Sequence, residues 1–463
     1  MTQVYAHFIG VGGAGMSGIA RVLHDRGSVV TGSDLKLSRY AKGLAEAGVL
    51  VHTGHAAGQV GDPEVVVVSS AIPKTNPELI EARERGIEVW PRARMLAHLG
   101  RGMRTLAVAG THGKTTTSSM LATMLAELGL DPTFLIGGEL NDLGGNARCG
   151  LGDYYVVEAD ESDGSLLFLD PYVALITNIE ADHLDHYSGL AQVIDTFGEF
   201  IDRVPAVGSV VVCADDDHLP ALAARHCKGS VCSYGRAEAA DVRCHDLTVD
   251  GLGYRFSVTF PTGERVQART AVRGVHNVVN ATGVLATAWR LGIDAQQAAD
   301  ALARFTGVHR RFELITEVGG ITVVDDYAHH PTEVQATLAA AHTAGFRRVW
   351  VVFQPHRYTR TQAFGREFGA SFEDADHVVL MEVYSAGEAP IPGVSGKTVL
   401  DALLEHQPHA NTAFFPHRVD VAGYVAGRAR EGDLVMTMGA GDVTTMAGEI
   451  ARALQERVGS VTA

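Results

Sequence analysis

Gly110-Thr111-His112-Gly113-Lys114-Thr115-Thr116 is the stretch on which the reading of this chain turns. Before it, Thr105-Leu106-Ala107-Val108-Ala109 reads as a buried strand. After it, Met120, Leu121, Met124, Leu125 and Leu128 recur as the apolar stripe of a helix. A glycine-rich turn between strand and helix, ending in Lys-Thr, wraps a phosphate chain in backbone N–H groups at the positive end of the helix dipole. Lys114 is expected to reach the β- and γ-phosphates, and Thr115 to offer its hydroxyl to Mg2+. A plain capped turn is the competing reading, but a lysine in the first turn of a helix is poorly placed against the dipole. The pattern G-x-x-x-x-G-K-[ST] calls for glycine where this chain has Val108, so the loop is a shortened variety.

A chain of 463 residues exceeds what one core usually organises, and two to four domains are expected. Short apolar runs ending in Gly or Asp, in a chain with 52 glycines and 46% apolar residues, indicate α/β architecture with buried parallel strands. A net charge of -16 argues against nonspecific binding to nucleic acid or to an anionic membrane. The five cysteines, Cys149, Cys213, Cys227, Cys232 and Cys244, have no C-x-x-C spacing and read as free thiols. With no basic leader and no long apolar segment, a soluble cytoplasmic protein is expected, without membrane insertion.

Three blocks follow one another. The first opens with a strand at Val4–Ile9, then Gly10-Val11-Gly12-Gly13-Ala14-Gly15, a helix over Met16–Asp25 and a strand from Val29 ending at Ser33-Asp34. This is a nucleotide-binding βαβ signature, and the same turn serves a dinucleotide or any nucleoside diphosphate. A boundary is expected at Arg101–Arg104. The second block has strands at Tyr154–Val157, Val173–Thr177 and Ser209–Cys213 and a β-rich patch at Val242–Arg269. The third alternates strands at Ile321–Val324, Val349–Phe353, Val378–Met381 and Leu434–Thr437 with helices at Pro331–Ala344, Thr361–Phe372 and Val443–Arg457.

The strand at Tyr154 runs into Glu158-Ala159-Asp160-Glu161-Ser162-Asp163, and the next into Asn178-Ile179-Glu180-Ala181-Asp182-His183-Leu184-Asp185. If both flank the loop strand, Glu158 and His183 face one cleft, where Mg2+ takes oxygen ligands and keeps open positions while a second ion, such as Mn2+, can accept an imidazole. Asp182 and Asp185 read equally as caps or as partners orienting His183. Asn277 and Asn280 share one face of a helix continuing to Leu291, suited to a base or ribose, although Asn277 can also be a cap. Arg310, in His309-Arg310-Arg311-Phe312, can lie over a γ-phosphate or form an interdomain ion pair. In the third block, Asp325-Asp326-Tyr327-Ala328-His329-His330-Pro331 and His356-Arg357-Tyr358-Thr359-Arg360 end two strands, and Arg357 with Arg360 can make a carboxylate clamp or be ordinary surface arginines.

In the order of these motifs the chain resembles the Mur ligase family of peptidoglycan synthesis, over nearly its whole length. The resemblance implies an α/β, three-domain Mur ligase architecture. Residues 1–101 would form a Rossmann-like UDP-sugar domain, 102–308 a central P-loop ATPase-type domain, and 309–463 a Rossmann-like domain carrying the amino acid. It implies ATP and Mg2+ as cofactors and no NAD, with UDP-N-acetylmuramate and L-alanine as substrates, in a monomer or weak homodimer. The first glycine turn would hold the UDP diphosphate through Gly12, Gly13, Ala14, Gly15, Met16 and Ser17, with Asp34, Ser69 and Ser70 nearby. Gly110 through Thr116, Asn277, Asn280, Arg310 and Asp326 would hold ATP, and Thr115, Glu158 and His183 the metal. Asp160, Glu161, Ser162, His329, Arg357 and Arg360 would line the acceptor side, with Lys114, Arg310, His183 and His329 catalytic. Sister ligases that add later amino acids carry a carbamate-forming lysine after the Asp-His-x-Asp segment. Here Val193-Ile194-Asp195-Thr196-Phe197-Gly198-Glu199-Phe200 has none, as in the alanine-adding members and their muropeptide-recycling relatives. Rival readings are a recycling ligase that joins a peptide to the same sugar, and a catalytically silent nucleotide sensor.

Overall fold

In a computed structural model, residues 3–69, 71–140, 142–183, 186–250 and 253–462 are described. Three sheets follow one another along the chain. The first has the strand order Leu50–Thr53, Val29–Asp34, Tyr5–Ile9, Val65–Val68, Glu88–Pro91, parallel throughout. The chain reverses its winding between Tyr5–Ile9 and Val65–Val68, and a crevice opens beyond the strand ends at such a point. Gly10, at φ 82°, makes the turn there.

Ten strands form the second sheet, in the order Arg265–Thr270, Gly253–Thr259, Val242–Asp250, Ser230–Gly235, Ser209–Cys213, Val173–Ile176, Arg104–Ala109, Tyr154–Glu158, Thr133–Leu140, Gly145–Arg148. The loop strand Arg104–Ala109 lies between Val173–Ile176 and Tyr154–Glu158, parallel to both, so both acidic segments leave the sheet beside the phosphate loop. Val108, the departure from the full loop pattern, is a wholly buried strand residue paired with Leu175 and Glu158. The helix Lys114–Glu127 is buried on every side from Thr116 to Leu125, not along one stripe. Small side chains (Thr117, Ser118, Ser119, Ala122) let it pass between the sheet and the helices Val275–Arg290 and Ala295–Leu302.

In the third sheet the order is Glu313–Val318, Ile321–Asp326, Asp433–Met438, Arg348–Phe353, His377–Met381, Thr412–Phe415, and only the first pair is antiparallel. Strands Thr133–Leu140, Gly145–Arg148, Ser230–Gly235, Glu313–Val318 and Thr412–Phe415, and helices Gly396–His406 and Val421–Arg428, go beyond the sequence reading. The strands among them are short or broken by Gly and polar residues, so their periodicity is weak. No described helix is long and apolar enough to cross a membrane, and the five cysteines are free thiols.

The first two sheets share one apolar core. The helix Ala14–Asp25 packs against Thr133–Leu140 and Gly145–Arg148, and a Cβ at Gly18 would lie 2.9 Å from that of Ala147. The third sheet keeps its own cores on its two faces.

The first sheet also encloses a polar network. Glu78, fully buried, accepts from His7 Nε2 at 2.9 Å and Ser33 Oγ at 2.6 Å, with His55 Nδ1 at 3.1 Å. Burial alone would raise the carboxyl, but these partners outweigh it and hold the pKa below its ordinary 4.5. The resulting stability is complete above that ordinary value and is lost as pH falls through the lower native one. Glu78→Ala is expected to cost about 3–5 kcal/mol, the range for removing one partner of a buried pair. Thermal melts from pH 7 to 3 should show the wild type losing stability below about pH 4.5 more steeply than the variant does.

Candidate active site

The phosphate loop owes its shape to the neighbouring strand end. Gly110 sits at φ 133° and Gly113 at φ 80°, and a Cβ on Gly110 would fall 2.0 Å from Thr177 Oγ1. Thr111 N donates to Asn178 O at 3.0 Å and His112 N to Asn178 Oδ1 at 2.8 Å. Thr177 Oγ1 and Asn178 Nδ2 both donate to His112 O, at 2.6 and 3.1 Å. The loop is thus built against the segment 177–180.

Lys114 Nζ donates to Gly110 O, Thr111 O and Glu161 Oε1, at 2.6, 3.1 and 2.8 Å. Burial opposes its charge, but Glu161 and Asp160 outweigh burial and hold the ammonium above its ordinary value. Burial pushes the Glu161 carboxyl the other way, up to about 7, against the pull of Lys114. Thr115 Oγ1 donates to Glu158 Oε1 at 3.1 Å, and Gly137 N donates to Glu158 Oε2 at 2.8 Å. His183, at φ 53°, places Nε2 3.6 Å from Glu161 and 3.7 Å from Asp182. Burial lowers its pKa and keeps the imidazole neutral.

These groups open onto a cleft of about 560 Å3 where all three sheets meet. Tyr40 reaches it from the first, Lys114, Glu158 and His183 from the second, and Arg310 and His329 from the third. A smaller cleft of about 190 Å3 continues behind the loop and brings together Asn277, Asn280 and Asp326. The Asn280 amide lies against Gly113, where a Cβ would come within 3.1 Å of it. Thr116 borders this smaller cleft. Asp326 is buried, its carboxyl pushed up to about 6, and accepts from Phe312 N and Ala328 N.

In the first glycine turn, Asp34 Oδ2 accepts from Gly12 N at 2.9 Å, so Asp34 closes the turn itself. Gly13, Ala14 and Gly15 begin the helix, but Met16 and Ser17 are buried and offer little beyond backbone. Ser69 lies beside Gly10, and Ser70 lies outside the described residues, as does Asp185. Arg92, which sequence reasoning missed, stands against Gly15 with Nη2 4.0 Å from Asp160 Oδ2. Asp160 and Ser162 border the large cleft, and Glu161 reaches it through Lys114.

On the third domain, Arg310 Nε donates to Asp325 Oδ2 at 3.1 Å and Nη2 to Gly439 O at 2.6 Å. Arg357 and Arg360 line a cleft of about 280 Å3 with Asp182 and His183. The expected two-arginine clamp is modified there. Arg360 is buried and its Nη2 already donates to Asp182 Oδ1 at 3.2 Å, while Arg357 begins the helix at φ 68°. Glu333 was also missed, because an acidic residue in a first helical turn reads only as a dipole partner, and so was Tyr40. Glu333 lies 3.5 Å from His112 Nδ1, 3.7 Å from Arg311 Nη1 and 3.3 Å from His329 Nδ1.

Family models match three successive stretches: "Mur ligase family, catalytic domain" over residues 5–104, "Mur ligase middle domain" over 108–288 and "Mur ligase, glutamate ligase domain" over 310–441. The UDP-N-acetylmuramate–L-alanine ligase of Rubrobacter xylanophilus is 50% identical over 446 residues, 96% of this chain and 98% of that protein. That of Syntrophotalea carbinolica is 46% identical over 97% of this chain and 98% of its own length. The chain belongs to the Mur ligase family. Among solved structures, this Mur ligase is similar to a UDP-N-acetylmuramate–alanine ligase from Thermotoga maritima, at TM-score 0.81 and 28% identity over 98% of this chain and all of that one. It is also similar to a murein peptide ligase from Psychrobacter arcticus, at TM-score 0.71 and 26% identity over 98% and 99% of the two chains. The fold is that of the Mur ligases, with Rossmann-like N- and C-terminal domains flanking a central ATPase-type domain.

The Asp182–Arg360 pair yields a direct test. Asp182→Ala leaves a buried guanidinium without its carboxylate and is expected to cost about 3–5 kcal/mol. Adding Arg360→Met should recover a substantial part, so a double-mutant cycle read by thermal unfolding gives strong non-additivity. Additive losses would show that the two side chains do not depend on each other.

Proposed function

We propose that this enzyme joins L-alanine to the lactyl carboxylate of UDP-N-acetylmuramate, with ATP converted to ADP and phosphate. The observation that carries this reading is 46–50% identity over nearly the whole chain with ligases of that specificity, combined with a phosphate loop and an acidic cleft shared by three domains. In this reading residues 1–101 take the UDP-sugar, 102–308 ATP and 309–463 the amino acid.

The UDP diphosphate is assigned to the backbone of Gly12–Gly15, at the start of the helix Ala14–Asp25. Adenosine fits the smaller cleft, with Asn277, Asn280 and Asp326 on its walls. The residues beside the loop suit Mg2+: Thr115 and Glu158 present oxygen donors 3.1 Å apart at the cleft, and neutral His183 can serve Mn2+ as well. When bound there, the ion neutralises phosphate charge and fixes the triphosphate.

Lys114 must leave Glu161 to meet the β- and γ-phosphates. A carboxyl with a pKa of about 7 can take up a proton as the ammonium departs. The lactyl carboxylate oxygen attacks the γ-phosphorus and ADP leaves, giving an acyl phosphate, with Lys114 and Arg310 facing the transferred group. The ammonium of alanine gives one proton to solvent and the free amine attacks the acyl carbon, its second proton passing to the departing phosphate. The tetrahedral intermediate then expels phosphate. Burial lowers the His329 pKa to about 3, so His329 is neutral during turnover. Its Nδ1–H donates to Tyr327 O at 2.9 Å, which leaves the Nε2 lone pair to accept a hydrogen bond from the incoming amine. Closure of the third domain keeps water from the acyl phosphate.

The deciding experiment offers ATP, Mg2+ and UDP-N-acetylmuramate with either L-alanine or a peptide, and follows phosphate release and product mass. Turnover with peptide alone would make this a recycling ligase. Lys114→Ala should lower kcat on the order of 10²–10³-fold or more, while calorimetry shows unchanged affinity for the UDP-sugar. Arg357→Ala should raise the apparent KM for alanine and leave that for the UDP-sugar within about twofold, since a charged hydrogen bond contributes about 2–5 kcal/mol to its own ligand only.

A further inference from the structure

Where the central domain meets the third, three ligand-type side chains converge that the ligation chemistry does not use as a set. His112, Glu180 and His330 each offer one donor atom, and these atoms lie within 4.8 Å of one another. They come from the phosphate loop, from the segment after Val173–Ile176, and from the residue preceding the helix Pro331–His342. His112 Nε2 is 3.4 Å from Glu180 Oε2, and the two imidazole centroids are 4.8 Å apart.

An independent observation concerns His330. The residue is 4% exposed, yet neither Nδ1 nor Nε2 has a hydrogen-bond partner among the described residues. Buried polar atoms are nearly always satisfied, and an unsatisfied pair asks for an explanation. Phe364 packs against this ring at 4.7 Å between centroids, and His112 occupies another side, so the ring is held facing the cluster.

We propose that His112, Glu180 and His330 form a binding site for a transition-metal ion of the Zn2+ class. Two imidazoles and a carboxylate are a recognised zinc donor set that leaves a fourth position open. Imidazole donors disfavour Mg2+, which takes oxygen ligands. Bonds of about 2.0–2.2 Å place tetrahedral donor atoms roughly 3.4 Å apart, so donor atoms within 4.8 Å of one another need to draw in by at most about 1.4 Å. The surroundings orient them for this. Thr332 Oγ1 donates to Glu180 Oε2 at 2.7 Å, and Glu333 Oε1 lies 3.5 Å from His112 Nδ1. His112 and Glu180 belong to the second sheet's domain and His330 to the third's. A bound ion therefore cross-links the two beside the smaller cleft, which His112 and Glu180 line.

The test is calorimetric titration of Zn2+ into the full chain with Mg2+ in excess and no nucleotide. The expected result is one equivalent bound, weakened about tenfold or more in His330→Gln and in Glu180→Gln and retained in His183→Ala. Co2+ in place of Zn2+ should show the visible absorption of a four-coordinate ion, lost in the same two variants. Thermal melts establish that each variant is folded, and should His330→Gln fail to fold, Glu180→Gln decides. Absence of Zn2+ binding under excess Mg2+ overturns the proposal. So does binding that survives in Glu180→Gln, or that disappears in His183→Ala while persisting in the other two.

Discussion

Hydrogen bonds between the backbone of Thr111 and His112 and the residues Thr177 and Asn178 shape the phosphate loop. A loop that aims several N–H groups at one point needs its own carbonyls and donors satisfied elsewhere, and the neighbouring strand end does this. The same adjacency fixes the rest of the site. With Arg104–Ala109 between Val173–Ile176 and Tyr154–Glu158, one side of the loop meets Glu158 and Glu161 and the other meets Glu180, Asp182 and His183. Under the proposed function, substrate anions and protein carboxylates would crowd one cleft, with Lys114, Arg310 and a metal ion to offset them.

The domains are joined unequally. The first and second share a continuous apolar core through Ile19, Leu23, Phe134 and Leu135. The third meets the second largely through polar groups: Arg360 with Asp182, Thr332 with Glu180, and Glu333 with His112. A polar interface of this kind opens at lower cost than an apolar one. Under the proposed function, this division would let the first two domains stay in register while the third moves over a water-sensitive acyl phosphate. The buried Asp182–Arg360 pair is one of these polar links.

Much of this organisation could be read from residues that carry local signals. Glycine turns before helices, apolar strands ending in acidic segments, and Asn277 with Asn280 three apart each obey a short-range rule. The strands and helices that escaped notice, such as Thr412–Phe415 and Ser230–Gly235, obey none strongly; they are strands because neighbours complete them. The helix Lys114–Glu127 shows the same limit, since Thr117, Ser118 and Ser119 read as a polar face and are buried by two helices packed from far along the chain.

The sequence by itself determined the family and the order of three α/β units, because backbone turns and buried strands are written in neighbouring residues. Tertiary structure alone decided how the side chains of the site are paired. Lys114 rests on Glu161, Asp34 closes its own glycine turn, Arg360 is taken by Asp182, and Glu333 joins His112, Arg311 and His329. These partners are separated by up to 221 positions between His112 and Glu333. Charge interactions depend on distance and burial in space, neither of which any local pattern encodes.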